Sequence, residues 1–101
     1  MLIFNTTYLV PGNLYHKWNS WLHEQHIPAM LNSGYFNMPQ IAKVVGSESE
    51  RGTSYAVQFH VENTEMLDAW NCEHADAFLS DFKIRFGQEI LYFSTVLEII
   101  E

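Results

Sequence analysis

The hydrophobic period of this chain changes in a set order, and that order narrows the possible folds more than any single residue does. Residues 2 to 10 alternate and are rich in β-branched and aromatic types, which is the pattern of a strand with two different faces. Pro11, Gly12 and Asn13 end it with turn chemistry. From Leu14 the period becomes helical, with Leu14, Trp18, Trp21, Leu22 and Gln25 inside a stripe of about 100°. Pro28 disfavours helical geometry at Ile27 but suits the first position of a new turn. The spacing therefore predicts a helix to about His26, a bend there, and a short continuation over 28 to 33 that stops at Gly34.

Strand composition returns at 35 to 46 and 53 to 62, on either side of a polar loop bounded by Gly46 and Gly52, and predicts a hairpin with a solvated tip. Asn63 or Thr64 offers an N-cap for a second long helix, with Lys83 and Arg85 before Gly87 at its other end and an interruption expected near Ser80. Residues 89 to 100 read as a strand apolar on both sides. The order β-α-β-β-α-β is the split βαβ arrangement, an α+β fold in which an antiparallel four-stranded sheet carries two helices on one face. One domain spans residues 1 to 101.

Composition bears on what covers the other sheet face. Charged residues make up 17% and aromatic residues 15% of the chain, against roughly 25% charged in average soluble domains. A second copy packed sheet against sheet would hide the excess apolar surface, so a homodimeric barrel is expected. Twelve acidic residues face five basic ones, which removes the electrostatic basis for a nucleic-acid partner. Cys72 is the only cysteine, so no internal disulfide or thiolate cluster is available. No run approaches the length of about 18 apolar residues that spans a bilayer. The expectation is a cytoplasmic protein with no membrane partner.

The residues Trp-x-x-Trp-Leu-x-x-x-His-Ile-Pro at 18 to 28, Thr-Ser-Tyr-Ala-Val-Gln-Phe at 53 to 59, Arg85-Phe86-Gly87, and Phe-Ser-Thr-Val-Leu-Glu at 93 to 98 resemble a small bacterial family of unknown function. That family lies in the dimeric α+β barrel superfamily, ferredoxin-like in fold and distantly similar to antibiotic-biosynthesis-type monooxygenases. The superfamily includes cofactor-independent quinol monooxygenases, haem-degrading monooxygenases and muconolactone-type isomerases. The resemblance implies a cleft between sheet and helices that accepts a small apolar or aromatic metabolite. It implies no particular activity.

Two histidines are the candidate acids or bases. His26 lies beside the bend at Pro28 and offers an imidazole near neutral pH; alternatively, its ring caps free carbonyls at the helix end. His23 and His26 could share a metal, but no third ligand is indicated, so no metal site is expected. His74 shares a stripe with Leu67, Trp70 and Phe78, which puts a histidine mid-face on the second helix, either as a core residue satisfied by backbone or as a ligand. The resemblance to haem-degrading proteins pairs such a histidine with a tryptophan on the same helix and an asparagine on the first strand. Asn5, Trp70 and His74 supply those types, though the gap of four from Trp70 to His74 is shorter than in the relatives.

On the third strand, Gln58 and His60 share the face opposite Tyr55, Val57 and Phe59, and Asn5, Thr7 and Thr95 have the parity to join either face. These polar groups either orient a ligand's oxygen, with Trp18, Trp21 and Trp70 holding its rings, or bond across a dimer and set its register. The expected site is a cleft lined by Trp18, Trp21, His26 and Trp70. Any chemistry there would be proton transfer or oxygenation, as in a cofactor-independent monooxygenase or isomerase, with His26 or His74 as base. A haem protein using His74 and a non-catalytic sensing or interaction module are the alternatives. No Gly-rich phosphate loop, Gly-x-Ser-x-Gly elbow or His-Glu-x-x-His is present, so nucleotide hydrolysis and zincin chemistry are excluded.

Overall fold

Alternation over residues 2 to 10 builds the centre of the sheet. In the computed structural model, which describes all 101 residues, β1 (Leu2–Val10) pairs antiparallel with both β3 (Thr53–Val61) and β4 (Leu91–Glu98). The second strand, β2 (Phe36–Lys43), pairs antiparallel with β3, giving the order β2-β3-β1-β4. A register shift between Asn37 and Gln40 brings Met38 to a φ of 51° and carries the chain past Pro39. The hairpin tip folds back on the end of β1 at Gly52, whose φ of 129° and close approach to the Val10 carbonyl leave no room for a side chain.

Both helical stretches are interrupted by a π-turn. The first rod consists of a 3₁₀ turn at Gly12–Leu14, α1 (Tyr15–Trp21), a π-turn at Leu22–His26 and α2 (Ile27–Asn32). The Ile27 amide bonds to the Leu22 carbonyl five residues back, where a regular turn would press the ring of Pro28 onto the carbonyl of Glu24. The second rod is α3 (Thr64–Trp70), a π-turn at Asn71–Ala75 and α4 (Asp76–Phe86). Its interruption therefore lies earlier than the position near Ser80 expected from sequence. Asn63 is the N-cap, its Oδ1 accepting from the Met66 amide at 2.9 Å. No helix is long and apolar enough to cross a membrane.

The rods cover one sheet face, which makes the fold ferredoxin-like. Tyr8, Val57, Phe59 and Val61 from the strands meet Trp18, Leu22, Phe82 and Phe86 from the rods in a single buried cluster. Phe82 packs against Tyr8, Trp21, Phe86 and Tyr92 with ring centroids 4.9 to 5.6 Å apart. Each such ring contributes about 1.5–3 kcal/mol through burial, with some further gain from tilted and edge-to-face geometry. The space between sheet and helices is consequently filled by the protein's own aromatic side chains. The opposite sheet face carries no helix, and all of β4 is exposed.

Candidate binding cleft between the helical rods

A π-turn adds a residue to one turn, so every inward-facing position beyond it moves along by one. In the first rod the step from Trp21 to the next inward residue is five, which buries His26 and leaves Gln25 exposed. In the second rod the step from Trp70 is again five, turning Ala75 toward the core and His74 outward. The uninterrupted stripe expected for the second helix misplaced His74 for this reason. His74 is no core residue: its side chain is 48% exposed.

His26 is 6% exposed and lies flat on Trp21, with centroids 4.8 Å apart and planes 13° from parallel. Phe78 meets it from the second rod at 4.8 Å, and Phe59 meets it edge-on from the sheet. Neither ring nitrogen bonds to the protein, so the ring does not cap the helix end. Nor are its nitrogens among the sealed, partnerless polar atoms, which are Asn5 Oδ1, Tyr8 Oη and Trp18 Nε1. The polar edge of His26 opens onto the cleft it lines. Burial among these rings lowers its pKa to about 4, so the imidazole is neutral at neutral pH.

The cleft has a volume of about 500 Å³ and lies between the two rods, not between rods and sheet. Trp21, His26, Trp70 and Phe78 form its apolar walls, and His74 and Asp81 stand at its edges. One end is bound by a polar clasp. Trp21 Nε1 donates to Asp81 Oδ2 at 3.4 Å, Arg85 Nε donates to both Asp81 oxygens at 3.0 and 2.9 Å, and Arg85 Nη2 donates across to Gln25 Oε1 at 2.6 Å. At the rim, Tyr35 Oη donates to Glu73 Oε2 at 2.5 Å, and His74 Nε2 lies 3.7 Å from the same oxygen. The hydrogen bond to Glu73 raises the Tyr35 pKa.

Trp18 does not line this cleft. It packs on Tyr8 and Tyr55 at 5.5 and 5.2 Å on the core side of the first rod. His23 lies outside as well, its Nδ1 donating to the Asn19 carbonyl at 3.0 Å. Asn5, Gln58, His60 and Thr95 all sit on the uncovered sheet face, since Asn5 is cross-strand partner to both Gln58 and Thr95. The Asn5 amide nitrogen donates to Thr7 and Thr95 hydroxyls at 3.2 Å each. Trp70 packs against Phe4 and Phe36 beneath the rods, so the sheet separates it from Asn5. The trio Asn5, Trp70 and His74 is not assembled.

Phe78, Asp81 and Gln25 were not singled out from sequence as site residues. For Gln25 the signal was Pro28, which marks the place where the first helix cannot keep a regular turn; Phe78 and Asp81, on the second rod, had none. Cys72 lies exposed on the second π-turn.

Residues 1–100 match the model of a domain of unknown function, DUF4286. No curated protein matches the sequence. Among solved structures, the chain is similar to a putative antibiotic biosynthesis monooxygenase from Deinococcus radiodurans, with a TM-score of 0.70 at 12% identity over 100% of this chain and 94% of the other. A MhuD point mutant with two manganese protoporphyrin IX molecules bound per active site is similar with a TM-score of 0.69 at 20% identity, covering 100% of this chain and 96% of that one. A dimeric ferredoxin-like protein from an uncultured marine organism gives a TM-score of 0.61 at 12% identity over 100% of this chain and 96% of its own. At these identities the likeness is one of fold.

Proposed function

Because the chain belongs to the DUF4286 family, whose function is unknown, the reading must come from its own site, and we propose that it is a homodimer binding a small, flat, uncharged aromatic metabolite in the cleft of each subunit. The observation that carries this reading is His26, a nearly buried imidazole stacked on Trp21 with no protein partner for either nitrogen. A neutral imidazole offers one donor and one acceptor. Held among apolar rings, it fits a ligand with an aromatic body and a hydroxyl or similar polar group.

Charge narrows the class. Asp81 is the only carboxylate lining the cleft and no Lys or Arg lines it, while Asp81 is already engaged by Arg85. An anionic ligand would therefore enter without a compensating cation, and an uncharged one loses nothing. The same reasoning argues against haem on His74. Two propionates would find no cation in the lining, and Asn5 faces the far side of the sheet from Trp70. A base whose pKa is about 4 is in the unprotonated form at neutral pH but has little driving force for proton abstraction. The site thus supports binding better than oxygenation or isomerisation.

The dimer rests on the uncovered sheet face. Leu91, Phe93 and Leu97 are 56%, 60% and 46% exposed there, and they flank the bonded cluster of Asn5, Thr7 and Thr95. A contiguous apolar face with a polar centre suits sheet-on-sheet packing of two copies, and a similar fold is described as dimeric.

Calorimetric titration with 2-naphthol and 2-naphthoate tests the ligand class. Saturable binding of 2-naphthol is expected, at least about tenfold tighter than that of 2-naphthoate, with His26→Leu weakening it. Equal or better binding of the carboxylate would overturn the proposal.

A further inference from the structure

The two rods are built alike around their π-turns. Trp21 and Trp70 each stand immediately before one. Counting on from them, Gln25 corresponds to His74, Ala29 to Phe78 and Asn32 to Asp81. All eight of these residues line the cleft, so each half of the chain supplies an equivalent wall. Among the interactions that differ between the rods, one crosses the cleft. Trp21 Nε1 donates to Asp81 across the cleft, whereas no group of the chain accepts from Trp70 Nε1, and Asn32, the counterpart of Asp81, makes no bond to it.

Trp70 is 4% exposed, and its Nε1 is absent from the polar atoms sealed away without a partner. This N–H is therefore open to solvent, on a residue that lines the cleft. An accessible indole N–H set in an apolar wall is free to donate to an oxygen of a bound molecule. Asp81 shows what kind of partner the equivalent position takes: an oxygen acceptor lying across the cleft.

We infer that Trp70 Nε1 is the anchoring donor for a ligand oxygen, and that the molecules the cleft prefers are flat aromatic ketones or similar carbonyl compounds. The inference rests on the proposed ligand cleft and adds the functional group that it selects. The carbonyl oxygen accepts from Trp70 Nε1 as the Asp81 carboxylate accepts from Trp21 Nε1, and the ring lies against Phe78.

The test compares 1-indanone with indane, which has the same ring frame without the carbonyl. Expected are binding of both, an advantage of about fivefold for 1-indanone, the gain of one hydrogen bond, and a ketone-specific shift of the Trp70 indole N–H resonance while that of Trp21 stays in place. In Trp70→Phe the affinity for 1-indanone should fall to that of indane measured on the same variant. An equal affinity for the two compounds, an advantage surviving in Trp70→Phe, or a ketone that leaves the Trp70 indole resonance where indane leaves it would each overturn the inference while the cleft still binds rings. Failure of the unaltered protein to bind either compound would remove the cleft reading and this inference with it. Should Trp70→Phe not fold, the indole resonance of the unaltered protein decides.

Discussion

The imidazole of His26 lies parallel to the indole of Trp21 across the first π-turn, with centroids 4.8 Å apart. That turn exists where Pro28 denies the helix a regular hydrogen bond, and the extra residue it adds is what carries His26 inward. A local constraint on the backbone thus sets the one unpartnered imidazole of the cleft in place.

Acid should destabilise the fold through this ring. Its folded pKa of about 4 lies below the ordinary histidine value of about 6.5, so between those values the unfolded chain binds the extra proton. Stability accordingly rises with pH across that window, and the penalty approaches about 3 kcal/mol near pH 4. His26→Phe keeps the stack and removes the titration. Urea unfolding at pH 7 and pH 4.5 should show a smaller difference for the variant, and an unchanged difference would mean the imidazole is not held neutral.

Phe93 projects from the uncovered face beside the Asn5 and Thr95 bond. Phe93→Asp places a charge where two copies would meet and should convert a dimer to a monomer in light scattering, with the circular dichroism of the fold retained. A protein that scatters as a monomer before substitution would contradict the proposed assembly.

Gly52 sits against the Val10 carbonyl at a φ favourable to glycine alone. Gly52→Ala should lower stability by at least about 2 kcal/mol, since positive-φ strain of about 1–3 kcal/mol adds to the overlap with backbone. Denaturant unfolding checks this, and a loss under about 0.5 kcal/mol would show that the hairpin tip yields freely.

Much of the architecture was legible because its signals are local. Alternation at Leu2–Val10, the Asn63 cap and Lys83 and Arg85 before Gly87 each act within a few residues, and together they define the element order. The placement of Asn5, Thr7 and Thr95 was not legible, because strand parity is the same whichever face meets the helices. His74 was misplaced for a different reason. A stripe drawn at a constant 3.6 residues per turn buries Gln25 and His74, whereas the π-turns bury His26 and turn the half-buried Ala75 inward in their place. The cleft's location followed from neither pattern, since it depends on how completely Phe4, Phe36, Phe59 and Phe82 fill the space beneath the rods.

The central claim is that a flat uncharged ligand occupies the cleft between the rods. Intermolecular NOEs from 2-naphthol to the isotope-labelled protein test it most directly. Contacts from the naphthol ring to the side chains of Trp21, His26 and Phe78 are predicted, together with their weakening at equal ligand concentration in His26→Leu. Contacts confined to the open sheet face, or none at saturating ligand, would contradict the account.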